Sequence, residues 1–241
     1  MLTSQIAQTI ENYLRGQLAN INFDEICWSD YDNSCVDFMK ENLPDCYSVR
    51  AGASKCVLFF TKISNLGYCV KIPFLGFEDE DENGELYRDS YEYANYVFGA
   101  WSGYREETSS WDYCNVEAFI GNKAEEWNID DFFARTYYLC EINHHPIYVS
   151  ELADSTMESN CDYYKSPTYN DSYNKGLELK FENYCVIDNY SLGFFVDNYG
   201  EEAVKRFLFF LDRFNIGDLS ENNIGFRNGF IKLIDYSDFN D

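Results

Sequence analysis

The chain has 241 residues, with 42 Asp and Glu against 18 Lys and Arg, a formal charge of −24. So acidic a surface repels phosphate backbones and anionic membranes, which argues against nucleic-acid binding through a basic patch and leaves basic proteins as the electrostatically favoured partners. Apolar residues at 46 % and aromatics at 19 % rule against a disordered chain, and the length suits one large domain or two small lobes.

From the N-terminus, Ile6, Ile10, Leu14 and Leu18 recur every four residues behind Thr3 and Ser4. That spacing predicts an amphipathic helix over 3–19. A second short helix is expected over 36–42, ending before Pro44, so residues 1–45 read as a helical extension. The character changes at Tyr47. Residues 47–50 and 56–61 read as strands joined by the small-residue turn Ala51-Gly52-Ala53-Ser54-Lys55, and 68–72 as a third strand closed by Pro73.

The stretch 76–110 contains Glu78-Asp79-Glu80-Asp81-Glu82 and reads as a solvated acidic insertion, partly helical over 90–98. It lacks the alternating ligands and central glycine of a calcium loop. A helix over 110–127 is expected to turn Val116, Phe119, Ile120 and Ala124 inward. Strands over 137–141 and 146–151 flank Asn143-His144-His145, read as a surface hairpin turn rather than a metal pair, because no Cys or carboxylate stands at ligand spacing. Residues 153–176 read as loop, and 199–213 as a helix with Ala203, Phe207, Leu208 and Leu211 inward.

The nine cysteines form no C-x-x-C pair, which argues against a zinc ribbon and a complete disulfide framework. Most sit among apolar neighbours and read as buried hydrophobes of a reducing, cytoplasmic protein. No basic segment precedes an apolar core at the N-terminus, and no apolar run approaches about 18 residues, so neither secretion nor a membrane partner is expected.

The last part of the chain carries the chemistry. Asp218 is followed five residues on by Asn223, and the β-forming run Phe230-Ile231-Lys232-Leu233-Ile234 ends in Asp235. An Asp that orients an attacking hydroxyl, with an amide oxygen and a carboxylate as hard-oxygen ligands for Mg²⁺, is a phosphoryl-transfer layout. An unpaired carboxylate at the end of an apolar strand is costly, which favours a cation there.

With these pieces in the order strand–turn–strand–strand(Lys)–helix(Glu)–hairpin–linker–helix–Asp loop–strand–Asp, residues 47–241 resemble the protein-kinase-like superfamily, in particular its compact bacteriophage-type members. The best-matched segments are Ala53-Ser54-Lys55, Cys69-Val70-Lys71-Ile72-Pro73-Phe74, Asp218-Leu219-Ser220-Glu221-Asn222-Asn223-Ile224-Gly225 and Ile234-Asp235-Tyr236-Ser237. The resemblance implies an α+β, two-lobed kinase-like fold. Residues 46–152 would form an N-lobe of antiparallel sheet plus helix, with the insertion 76–110, and 153–241 a minimal, truncated C-lobe. It implies ATP and Mg²⁺ as cofactors. Asp218 would be the catalytic-loop Asp and Lys71 the strand lysine on the α/β-phosphates. Glu117 would hold that lysine, with Glu125 and Glu126 as fallbacks near the helix end. Gly52, Ser54 and Lys55 would form the phosphate turn, and Asn223 and Asp235 the metal ligands, with Asn222 a competitor and Asp238 a weaker extra ligand.

Departures from the family pattern narrow what is implied. Ile216-Gly217 stands where His-Arg usually precedes the Asp, and Tyr236-Ser237 stands where Phe-Gly usually follows the metal Asp. The sequence ends at Asp241, without the segment that docks a peptide. Gly217-Asp218…Asn223 and Ile234-Asp235…Asp238 equally resemble phosphotransferases of the aminoglycoside/choline type. The expected function is transfer of a γ-phosphoryl group to a protein hydroxyl, of a host protein if the chain is phage-encoded. The alternatives are an acidic kinase-fold binding protein acting on a basic host factor, and a small-molecule phosphotransferase.

Overall fold

In the computed structural model the described residues are 2–23, 28–29, 34–52, 54–74, 76–80, 86–90, 112–155, 174, 176, 187–214, 216–217, 219 and 221–236. They form a mixed α+β structure that divides into two compact units. The first comprises Met1–Phe119 and Thr136–Glu151, the second Ile120–Arg135 and Leu152–Asp241. The segment 120–135, read from sequence as part of the N-lobe, thus belongs with the second unit, while residues 1–45 belong with the first.

The first unit opens with α1 (Ser4–Gln17), capped by Thr3, whose hydroxyl accepts from the Ile6 N–H. A short strand β1 (Trp28–Ser29) and helix α2 (Ser34–Asn42) follow. Next come β2 (Cys46–Ala51), β3 (Lys55–Phe60), the one-turn helix α3 (Thr61–Ser64) and β4 (Tyr68–Pro73). In the stretch read as an acidic insertion, the described residues are two antiparallel strands, β5 (Gly76–Glu80) and β6 (Leu86–Ser90), with β1 parallel to β5. The helix expected over 90–98 lies outside the described residues, except that Ser90 ends β6. Helix α4 (Tyr113–Glu126) passes from the first unit into the second, and the chain returns to the first as β7 (Thr136–Ile142) and β8 (His145–Glu151).

Strands β2, β3, β4, β8 and β7 form, in that order, one antiparallel sheet. Its alternation sorts the side chains onto two unlike faces. One face carries Val49, Cys56, Leu58, Phe60, Val70, Ile72, Ile147, Val149 and Ile142, packed with Ile10 and Leu14 of α1, Leu18 at its C-cap and Met39 of α2 into a single core. Each such fully buried aliphatic side chain contributes roughly 1.5–3 kcal/mol, so the N-terminal helices are the cover this sheet needs. The opposite face carries Lys55, Lys71, Tyr148, Ser150 and Thr136. With both faces covered, all six residues of β4 are buried.

The β7–β8 hairpin corrects the reading of the two histidines. Asn143 (φ 50°) and His144 (φ 64°) are both left-handed, the conformation a two-residue hairpin loop demands. The turn therefore ends at His144. His145 begins β8, pairs with Ile142 and is buried. Its ring stacks on Phe23 at 4.7 Å, and Nε2 donates to the Pro73 carbonyl at 2.9 Å. His144 alone is a surface residue. The Asn143 amide binds the carbonyls of Leu18, Ala19 and Ile21, which holds the chain after α1 against the hairpin.

In the second unit a 3₁₀ turn, Asp130–Phe132, precedes a short strand β9 (Asp154–Ser155) and two helices, α5 (Asn189–Tyr199) and α6 (Glu201–Arg213). The helix expected over 199–213 forms as α6, separated from the additional helix α5 by a break at Gly200. That residue has φ 82° and ψ 154°, a region essentially confined to glycine. Asp188 caps α5 by accepting from the Tyr190 and Ser191 N–H groups. Helix α6 buries Val204, Phe207, Leu208, Phe210 and Leu211. The core is aromatic: Phe132 stacks on Phe207 at 4.4 Å and Tyr199 at 4.2 Å, and Phe133 meets Phe207, Phe210 and Tyr236 edge-on.

A second 3₁₀ turn, Glu221–Asn223, leads into the hairpin β10 (Ile224–Arg227) and β11 (Phe230–Leu233), with β9 on the other side of β10. Asn228 (φ 53°) and Gly229 (φ 82°) make its turn, the Asn-Gly chemistry of a type I′ loop. No helix among the described residues is long and apolar enough to cross a membrane. Among the described residues Cys35, Cys46, Cys56, Cys69, Cys114 and Cys140 are buried free thiols.

The break at Gly200 can be tested directly. A Cβ there would meet open space, so Gly200→Ala pays for backbone strain alone and should lower stability by about 1–3 kcal/mol. Urea titration followed by circular dichroism checks this, and an unchanged midpoint would contradict it.

Candidate functional site

The polar face of the five-stranded sheet is organised around one carboxylate. Glu117, on α4, is fully buried. Its Oε2 lies 2.6 Å from Lys71 Nζ on β4, and its Oε1 lies 2.8 Å from Lys55 Nζ on β3. Lys55 pairs with Pro73 and Val57 with Lys71 across the β3–β4 ladder. The two lysines are therefore diagonal neighbours on one face, within reach of a common partner. The Lys55 contact is an ion pair by distance without the angle of an aligned hydrogen bond. Thr136 Oγ1 donates to Glu117 Oε2 at 2.5 Å and stands 3.2 Å from Ser150 Oγ, its cross-strand partner. Both lysines are almost wholly buried, at 4 % exposure. Charges so far from water persist only when paired and hydrogen-bonded.

A second buried carboxylate lies at the start of the same helix. The Asp112 carbonyl accepts from the Val116 N–H, and its Oδ1 accepts from the Asn115 N–H at 3.0 Å, which makes it the N-cap of α4. The Tyr148 hydroxyl donates to its Oδ2. Burial pushes the Asp112 carboxyl up to about 6, partly offset by the hydrogen bonds from Tyr148, Asn115 and Cys114, and the Glu117 charge adds to the rise. Burial and the Asp112 charge push the Tyr148 hydroxyl up. Burial likewise pushes the Cys69 thiol up to about 11 and Cys114 well above its ordinary value. These thiols stay protonated and unreactive at neutral pH.

In the second unit the residues flanking β10–β11 are set by backbone bonds. Asn223 ends the 3₁₀ turn, and its carbonyl accepts from the Ile234 N–H at 2.9 Å. Ile224 pairs with Leu233, so Asn223 and Asp235 leave the same open end of the hairpin. Strand β11 is held on its other edge by neighbouring elements. The Ala134 N–H donates to the Leu233 carbonyl at 2.7 Å, the Ile231 N–H to Asn198 Oδ1 at 2.7 Å, and the Tyr199 hydroxyl to the Ile231 carbonyl at 2.8 Å. Just beyond Asp235, Tyr236 is buried and its hydroxyl donates to the Ala134 carbonyl at 3.3 Å. Tyr236 is thus a core residue, and its neighbour Asp235 is half-buried.

Of the residues singled out from sequence, Lys71 and Glu117 meet, and Lys55 joins them from β3 rather than standing on the turn. The fallbacks are engaged elsewhere: Glu125 accepts from Arg135 at 2.8 Å, and Glu126 pairs with Lys123 at 3.3 Å. Gly52 is exposed, with its N–H on the Lys55 carbonyl at 3.0 Å, and the Ser54 carbonyl accepts from Phe74 at 2.9 Å. Asn222 is exposed beside Asn223. Asp218 and Asp238 lie outside the described residues, between or beyond the buried Gly217 and Leu219 and the buried Tyr236 respectively. Thr136, Ser150, Asp112 and Tyr148 were not singled out. Asp112 before a helical run is an N-cap signal, but nothing in one-dimensional spacing marks the other three.

Among the described residues no three His, Cys, Asp or Glu side chains assemble to hold a metal ion. Asn223 and Asp235 stand at one end of the β10–β11 hairpin, and both are residue types with hard-oxygen side chains of the kind Mg²⁺ takes. No family model, curated protein or solved structure matches this chain.

Two outcomes follow from the buried charges. Glu117→Ala leaves two ammonium groups buried with their shared carboxylate gone and should destabilise the protein by about 3–5 kcal/mol, read from chemical denaturation. The Asp112 carboxyl is raised in the folded state, so its contribution to stability is full below its unfolded value near 4 and is lost as pH rises through about 6. The stability of the wild type relative to Asp112→Asn should therefore fall by up to about 3 kcal/mol between pH 4 and pH 7. A pH-independent difference would contradict the buried-carboxylate assignment.

Proposed function

We propose that this chain is an ATP- and Mg²⁺-dependent phosphotransferase with a protein-kinase-like, two-lobed architecture, acting on a protein hydroxyl. The observation that carries the reading is the 2.6 Å ion pair between Lys71 on the third strand of the sheet and Glu117 on the helix that follows it. Kinases need that strand-lysine to helix-glutamate pair in place for activity. The order β2, β3, β4(Lys71), α4(Glu117), β7–β8 and then a β-hairpin followed by Asp235 supports the same reading.

In this proposal Glu117 holds the Lys71 ammonium so that it can face α/β-phosphate oxygens. Lys55, on the other oxygen of Glu117, adds positive charge beside it, while the open space around Gly52 leaves room for close backbone approach. Asn223 and Asp235 present the metal-binding oxygens. Mg²⁺ held there would supply positive charge to neutralise the transferring phosphoryl group. Asp218, by its five-residue spacing from Asn223, orients the attacking hydroxyl and accepts its proton. Positioning and charge neutralisation then carry most of the rate. The formal charge of −24 favours a basic protein as the acceptor.

Thermal unfolding with ATP and Mg²⁺ tests the reading. At ligand near a hundredfold above its Kd the wild type should gain about 2.7 kcal/mol, a rise of roughly 5–10 °C in Tm for a chain of this size. Asp235→Asn and Lys71→Met should each abolish the rise. Transfer of ³²P to a basic protein should require Asp218 as well. No shift of the wild type would sink the proposal; label appearing on a small metabolite and no protein would replace the acceptor.

A further inference from the structure

The geometry points to Asp112 and Tyr148 as positioning residues, a latch that docks the start of α4 on the sheet and so sets Glu117 against Lys71 and Lys55. Asp112 uses its two carboxylate oxygens for two different elements. Oδ1 caps the helix through the Asn115 N–H, and Oδ2 receives the Tyr148 hydroxyl from β8. The residue is 6 % exposed and Tyr148 3 %. A carboxylate in that setting is held because both oxygens are occupied.

The placement of Tyr148 gives the contact its consequence. On the β4–β8 ladder Tyr148 is the direct cross-strand partner of Lys71, so both side chains rise from the same face. Glu117 lies five residues after Asp112, about 7.5 Å further along the helix axis. Helix α4 therefore meets this face at two points, Asp112 on Tyr148 and Glu117 on the lysines and Thr136. One contact alone leaves a helix free to rotate about it, and two separated contacts remove that freedom. The ring of Tyr148 is itself set by an edge-on contact with Tyr138 at 5.6 Å, so the hydroxyl has a defined direction. The consequence for nucleotide binding rests on the phosphotransferase reading, whereas the latch itself does not.

Hydrogen exchange of the full chain, read by peptide mass spectrometry, decides between latch and passive packing. Tyr148→Phe removes one hydroxyl and keeps the ring. It should raise exchange at α4 amides 116–120 at least tenfold and leave β3 and β4 amides at wild-type rates. Asp112→Ala should do the same or more. Asp112→Asn, which offers an acceptor to the helix and a donor to the Tyr148 oxygen, should restore protection to within about threefold. Alkylation of Cys114, fully buried in the first turn of α4, should accelerate in parallel with the exchange. Unchanged α4 exchange in Tyr148→Phe, or an equal rise in α4, β3 and β4, overturns the proposal. Binding of Mg-ATP, measured on the same proteins, should weaken at least fivefold in Tyr148→Phe and recover in Asp112→Asn. If the wild type binds no Mg-ATP, the phosphotransferase reading fails, and the exchange pattern still decides the latch.

Discussion

A buried carboxylate shared by two buried lysines organises the first unit. Glu117 takes Lys71 on one oxygen and Lys55 on the other, and removing one partner from such a buried ion cluster is strongly destabilising. The requirement ties together three elements distant in sequence: β3, β4 and α4. It also explains the face on which it sits. A sheet that carries Lys55, Lys71, Thr136 and Ser150 on one side cannot be covered there by an ordinary apolar helix. It needs a helix that brings a compensating charge, and α4 brings Glu117 inward among Val116, Ile120 and Ala124.

The other side of the same sheet obeys the opposite constraint. It is apolar from Val49 to Ile142 and is closed by Ile10 and Leu14 of α1, Leu18 at its C-cap and Met39 of α2. The N-terminal residues are thus part of the first unit's core rather than an appendage, and the buried lysines sit in a sheet shielded on both sides. Shielding of this kind strengthens every electrostatic contact within the cluster, and equally raises the penalty for leaving one unmade. The second unit solves a different problem with aromatic packing. Phe132, Phe207 and Tyr199 stack, and Asn198, Tyr199 and Ala134 supply hydrogen bonds to β11. The strand that precedes Asp235 is therefore fixed along its length.

Much of this was legible in the residues themselves. The four-residue spacing of Ile6, Ile10, Leu14 and Leu18 gives α1, and alternating or continuous apolar runs give β3, β4, β7 and β8. Those signals are local and depend only on the periods of helix and strand. Lys71 between Val70 and Ile72, and Glu117 beside Val116, were single-residue candidates whose pairing only the kinase-like resemblance implied. Two other features are local as well. Asn228-Gly229 is a strong hairpin signal, and it makes β10 and β11 two strands where one was expected. Gly200 marks the break between α5 and α6, and α5 is a helix beyond the one expected over 199–213.

What the sequence alone determined was the set of elements and the candidate chemistry of single residues: a mixed α+β chain, an acidic surface, a strand lysine, a helix glutamate and the Asn223–Asp235 spacing. Only the tertiary structure decided who meets whom. It brought Lys55 onto Glu117 rather than leaving it on the turn, buried His145 against Phe23 and Pro73, and joined Asp112 to Tyr148 across 36 residues. The physical reason is that these are register and burial effects. A one-residue difference in where the Asn143-His144 turn ends selects the face on which every side chain of β8 stands, and the pairing of buried charges depends on which strands lie adjacent. Neither is written in the local periodicity.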